Sequence, residues 1–126
     1  MSNNRGVLVV AVGDDQTIIN AFHEDVWILS SFAAEIEAVI VKSQLDLLPA
    51  IESRKPRVLH LLAKVDSNGN VAGVSEFSLR LSHLIERCHQ VGVMQCFLAS
   101  ENDMSHMIDE LGTLHDIEIM RLDATE

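Results

Sequence analysis

The chain has 126 residues, of which 48% are hydrophobic and 22% charged, and it carries a formal net charge of −10. This length and composition predict one globular domain spanning residues 1–126, and they exclude a disordered chain. Nineteen acidic side chains against nine basic ones would repel a phosphate backbone or an anionic membrane surface. We therefore expect neither nucleic acid nor a membrane as a partner.

The N-terminus leads into an apolar strand without the core of a signal peptide, and no apolar run reaches the roughly 20 residues that span a bilayer. The two cysteines, Cys88 and Cys96, stand in apolar contexts and indicate neither a disulfide framework nor a zinc site. These features predict a cytoplasmic protein.

The first elements follow directly from the hydrophobic pattern. Gly6–Val12 is rich in β-branched residues and predicts a buried strand. Either Asp14 or Asp15 can then cap a helix that runs to about Ala34. Its apolar positions recur every three or four residues, at Ile18, Phe22, Val26, Leu29 and Ala33.

Strands and helices continue to alternate to the end of the chain. Further strands are expected at residues 37–41, 57–65, 93–99 and 117–122. Helices are expected at residues 44–53, from Ser75 to about 90, and from Ser100 or Asn102 to a stop at Gly112. Gly92 is expected to end the helix before it.

This alternation predicts an α/β fold with a parallel sheet and right-handed crossovers. We expect a three-layer, doubly wound, flavodoxin-like sheet of five strands in the order 2-1-3-4-5, without a helix after the last strand. The first helix would then lie alone on one face, and the other three helices would cover the opposite face.

One helix leaves the third, fourth and fifth strands half uncovered. One possible alternation places His60, Gln95 and Glu118 together on the uncovered side. We expect this side to contact a protein partner, either a second copy of the chain or a different protein. Trp27 lies about half a turn from the apolar face of the first helix. It is either an anchor for that partner or a side chain lying on a neighbouring loop.

Polar residues also gather where three strands are expected to end. Acids, a lysine and a hydroxyl together could hold Mg²⁺ and a phosphoryl group, or another small ligand. The pattern resembles a response-regulator receiver, with an acidic pair after the first strand and a serine after the fourth. However, the expected phosphoacceptor position at the end of the third strand holds Leu62 or Ala63. The candidate cleft residues are Asp14, Asp15, Lys64, Asp66 and Ser100.

A second resemblance covers roughly residues 36–111. It is carried by EIEAVIVKSQLDLLPAIESRKPRVLHLLAKVDSNGNVAG and LSHLIERCHQVGVMQCFLAS. These stretches resemble the CHAT peptidases, which are caspase-like. The resemblance places His60 on a structural histidine, Lys64 on the catalytic histidine and Ser100 on the catalytic cysteine. A cysteine peptidase needs an imidazole base and a thiolate, so the resemblance implies a degenerate, catalytically inactive module.

The sequence thus predicts a regulatory or scaffolding module that is not an enzyme and needs no cofactor or metal. The interaction residues are expected to be Trp27, His60, Gln95 and Glu118. The alternative is a receiver-like domain that binds Mg²⁺ and accepts a phosphoryl group in signalling.

Overall fold

The computed structural model describes residues 6–13, 15–31, 35–65, 69–71, 79–99 and 105–121. Its strands are β1 (Val7–Val12), β2 (Ile36–Val41), β3 (Val58–Leu62), β4 (Asn70–Val71), β5 (Leu79–Arg80), β6 (Gln95–Ala99) and β7 (Glu118–Arg121). Its helices are α1 (Gln16–Leu29), α2 (Leu47–Arg54), preceded by a 3₁₀ turn at Gln44–Asp46, α3 (Leu81–Val91) and α4 (Ser105–His115).

Five strands form one parallel sheet in the order β2-β1-β3-β6-β7. β4 and β5 form a separate two-stranded antiparallel sheet. When only the five strands of the main sheet are counted, their order is 2-1-3-4-5, which is the flavodoxin-like order that the alternating pattern predicts. No helix follows β7 within the described residues. The parallel register aligns Val58 of β3 with Gln95 of β6, and Gln95 with Glu118 of β7.

The two faces of the sheet are covered unequally. On one face, a large core joins alternate residues of β1, β3 and β6 to α2, α3 and α4. On the other face, a smaller core joins Val9, Ala11 and Leu62 to Ile18 and Phe22 of α1. In the part of the chain that the structure describes, α1 is the only helix on this second face. The predicted division of one helix against three is therefore confirmed.

The start of α1 is fixed by Asp15, one of the two caps that the sequence allowed. Its Oδ1 accepts the backbone N–H groups of Thr17 and Ile18, at 2.9 and 3.3 Å. These bonds satisfy two donors that have no partner within the helix. The helix ends at Leu29, five residues before the predicted end, and residues 32–34 lie outside the described chain.

The segment after β3 differs from the prediction. β3 ends at Leu62 rather than Val65, which instead pairs antiparallel with Val71. Ala63 and Val65 are nevertheless fully buried in the larger core, so the apolar pattern alone could not show where the strand ends. The next helix begins at Leu81, because residues 79–80 form a strand. The predicted cap Ser75 lies outside the described residues.

Gly112 does not end α4 as predicted. The helix continues to His115 and is followed by Asp116, whose φ of 55° is left-handed. A Cβ at Gly112 would lie 3.1 Å from the carbonyl oxygen of Ile117. Glycine at this position therefore permits the close approach of the chain that enters β7. Gly92, by contrast, ends α3 with a φ of 99°, as expected.

Within the described residues, no helix combines the length and the apolar character needed to cross a membrane.

Candidate functional site

The carboxyl edge of the sheet brings two of the predicted cleft residues together. Lys64 follows β3, and Asp15 follows the neighbouring β1. The Lys64 Nζ lies 2.9 Å from Oδ2 of Asp15, and both side chains are partly exposed. The other oxygen, Oδ1, accepts the two N–H groups that begin α1. The bond from Lys64, followed by those backbone bonds, lowers the pKa of Asp15 below its ordinary value of 3.8.

This arrangement commits both oxygens of Asp15 to bonds within the chain. The end of β3 offers no carboxylate, because Leu62 and Ala63 stand there and both are fully buried. No group of three or more His, Cys, Asp or Glu among the described residues could hold a metal ion. The donors described here therefore do not by themselves compose a Mg²⁺ site. The other predicted cleft residues, Asp14, Asp66 and Ser100, lie outside the described chain.

A second site is the part of the sheet that α1 leaves uncovered. We call Gln95, Phe97, Glu118 and Met120 the open strip. Gln95 and Glu118 align with Val58, and Phe97 and Met120 align with His60. Strand alternation therefore places all four residues on the face that carries α1. Gln95 Nε2 donates to Oε1 of Glu118 at 2.8 Å, and Phe97 and Met120 are half-buried. The predicted shared side of His60, Gln95 and Glu118 is thus present.

His60 occupies the border between α1 and the open strip, but it is only 6% exposed. Its Nδ1 lies 2.8 Å from Oδ2 of Asp25 on α1, and its ring lies 4.7 Å from the ring of Phe97. Since an ionised carboxylate only accepts hydrogen bonds, Nδ1 is the donor. The expectation that His60 itself meets a partner needs correction: the side chain is enclosed by α1 and β6 and joins them.

Trp27 is 74% exposed, so it does not lie flat against a described loop. It stands nine residues, or two and a half helical turns, from the buried Ile18. It therefore points away from the sheet and is not part of the open strip, contrary to the expectation that both belong to one surface. The Ser30 hydroxyl donates to the Trp27 carbonyl at 2.9 Å and ties down the last turn of α1.

The two thiols are poor candidates for nucleophiles. Cys88 of α3 and Cys96 of β6 are both fully buried in the larger core. Burial raises the pKa of Cys96 to about 12 and raises that of Cys88 well above its usual range. Such thiols remain protonated at neutral pH and act as small apolar core residues.

Two contacts were missed by the sequence analysis. The first is the contact of Asp25 with His60. Asp25 interrupts the apolar stripe of α1 between Phe22 and Leu29, and a charged residue at that spacing indicates a buried polar partner. Arg87 of α3 donates to Glu52 of α2 from both Nε and a terminal nitrogen. No local pattern indicated that pair, because the two residues are 35 positions apart.

No family model matches the chain, and no curated protein matches it. A solved structure, the beryllofluoride-activated NtrC receiver domain, matches with a TM-score of 0.49 and 13% sequence identity. The match covers 94% of this chain and 81% of that chain.

Proposed function

We propose that this chain is a non-catalytic regulatory or scaffolding module that binds another protein through the open strip. The observation that carries this proposal is the half-covered sheet face, on which α1 packs at one side and β6 and β7 remain uncovered in the described structure. Half-buried Phe97 and Met120 lie there beside polar Gln95 and Glu118. Apolar side chains with a polar margin are typical of protein interfaces.

The chemistry of Lys64 and of the two thiols supports this proposal. Lys64, which the CHAT resemblance places on the catalytic histidine, forms an ion pair with Asp15. Both thiols are buried and protonated. Neither arrangement supplies the base and nucleophile that a cysteine peptidase requires.

The test compares two substitutions that introduce the same charge. Met120→Glu alters the open strip, and Leu114→Glu alters the 73% exposed side chain on α4. Tagged wild-type chain and both variants are used to capture partners from the native source, after circular dichroism has shown that each variant is folded. We expect a partner that Met120→Glu loses and Leu114→Glu retains. Equal retention by both variants would remove the open strip as the binding surface.

The second candidate is a receiver-like domain that accepts a phosphoryl group, favoured by the meeting of Asp15 and Lys64 at the carboxyl edge. Incubation with a small phosphodonor and Mg²⁺, followed by intact-mass measurement, separates it from the first. A gain of one phosphoryl group that disappears in Asp66→Asn would establish phosphoryl transfer. An unchanged mass leaves the interaction module as the function.

A further inference from the structure

The open strip has the dimensions of a single helix. Neighbouring strands lie about 4.8 Å apart, so the two strands β6 and β7 present a width of roughly 10 Å, which is the diameter of one helix. Their four or five residues extend for about 15 Å, which corresponds to roughly ten helical residues. α1 already fills the neighbouring part of the same layer over β1 and β3.

The side of α1 that borders the strip adds one wall. Asp25 marks this side because it reaches His60 of β3. Ile28, three residues later, shares the side and is 43% exposed, and Glu24 lies four residues before Ile28. An occupant would therefore meet Ile28 on one side, Phe97 beneath it and Met120 on the other. These are contacts suited to an apolar helical stripe.

Charge indicates what flanks that stripe. Exposed Glu24 stands on the α1 wall and exposed Glu118 on β7, and the whole chain carries −10. One base, Arg57, shares a cavity of about 270 Å³ with Gln95 and Glu118 at the amino end of the strip. The acidic margins and the net charge favour a cationic occupant.

A second copy of this chain fits less well. It would bring another charge of −10 to the contact. The α1 helix of that copy, which lies on the same face of its sheet, is polar on its outward side apart from Trp27, with Gln16, Asn20 and His23 exposed. That surface does not match Phe97, Met120 and Ile28.

We propose that the open strip receives one amphipathic helix of about three turns from another protein, with an apolar stripe flanked by Lys or Arg. This inference rests on the proposed function, since it names the chemical class of the partner at the same surface.

The test uses a phage-displayed library of helices about 14 residues long. Leucines are fixed along one stripe, and the flanking positions vary among Lys, Gln and Glu. The baits are the wild-type chain, Glu118→Lys at the strip and Glu110→Lys on α4, which makes the same charge change at an exposed site on the other side of the sheet. We expect the wild type and Glu110→Lys to enrich Lys-flanked helices, and Glu118→Lys to reduce that preference. A selected peptide should bind Glu118→Lys about fivefold more weakly than Glu110→Lys by calorimetry.

Three outcomes would overturn the inference: no enriched helix, enrichment without a preference for Lys, or equal weakening by both charge reversals. If no helix is enriched and sedimentation instead shows a dimer that Met120→Glu dissociates and Leu114→Glu does not, the occupant is a second copy. The proposal of a helical partner is then wrong, while the proposed interaction function stands. A different result would show that the proposed function is wrong: the Met120→Glu variant would capture the native partner as well as the wild-type chain does.

Discussion

The contact between Asp25 and His60 should be a main energetic link between α1 and the sheet. Their side chains are 12% and 8% exposed, and the two atoms lie 2.8 Å apart. Asp25→Ala leaves the Nδ1–H of a nearly buried imidazole without its acceptor. Leaving such a group unsatisfied costs about 1–3 kcal/mol, so we expect the free energy of unfolding to fall by about 2 kcal/mol.

The assay is urea unfolding followed by far-ultraviolet circular dichroism. With a slope of about 2 kcal/mol per molar urea, this loss lowers the midpoint by about 1 M without changing the slope. His60→Leu alone leaves the Asp25 carboxylate without its donor and should also destabilise. The double variant Asp25→Ala/His60→Leu removes both polar groups and should be more stable than the sum of the single losses predicts, by about 1–2 kcal/mol.

Exposed Glu24 provides the control, since Glu24→Ala in the same helix should change stability by no more than about 0.5 kcal/mol. The expectation is wrong if Asp25→Ala behaves like Glu24→Ala, or if the losses from Asp25→Ala and His60→Leu simply add. The pair would then be a geometric contact without energetic weight.

Three further outcomes are expected. Gly6→Ala places a Cβ 2.5 Å from the backbone oxygen of Glu35, so it should cost about 1–3 kcal/mol of stability, and an unchanged thermal midpoint would contradict that crowding. Because burial raises the pKa of Cys96 to about 12, its thiol should react with a disulfide reagent only in urea; rapid labelling of the native chain would show that the thiol is accessible. Bonding lowers the pKa of Asp15, so its charge stabilises the fold above pH 3.8, and this contribution is lost as the pH falls through the lowered pKa. The stability gap between wild type and Asp15→Asn should therefore close in acid, whereas Asp46→Asn, whose side chain makes no capping bond, should show no comparable gap.

Element type and order in the main sheet and its four α-helices could be predicted from local patterns, whereas the short strands β4 and β5 were not predicted. The β-branched run of β1 and the three-to-four-residue spacing of Ile18 and Phe22 each follow from which side of the element is buried. The ends of elements could not be predicted in the same way. Val65 has the pattern of a β3 residue and Gly112 that of a helix stop, but tertiary packing determines the conformation at both positions.

The sequence by itself determined a parallel α/β sheet with one helix facing three, because hydrophobic periodicity and right-handed crossovers leave few arrangements. Only the tertiary structure decided which distant side chains meet. It placed Asp25 against His60 and Lys64 against Asp15, and it left Trp27 exposed instead of lying on a described loop. Such contacts depend on how elements far apart in the chain are positioned against one another, which local spacing does not specify.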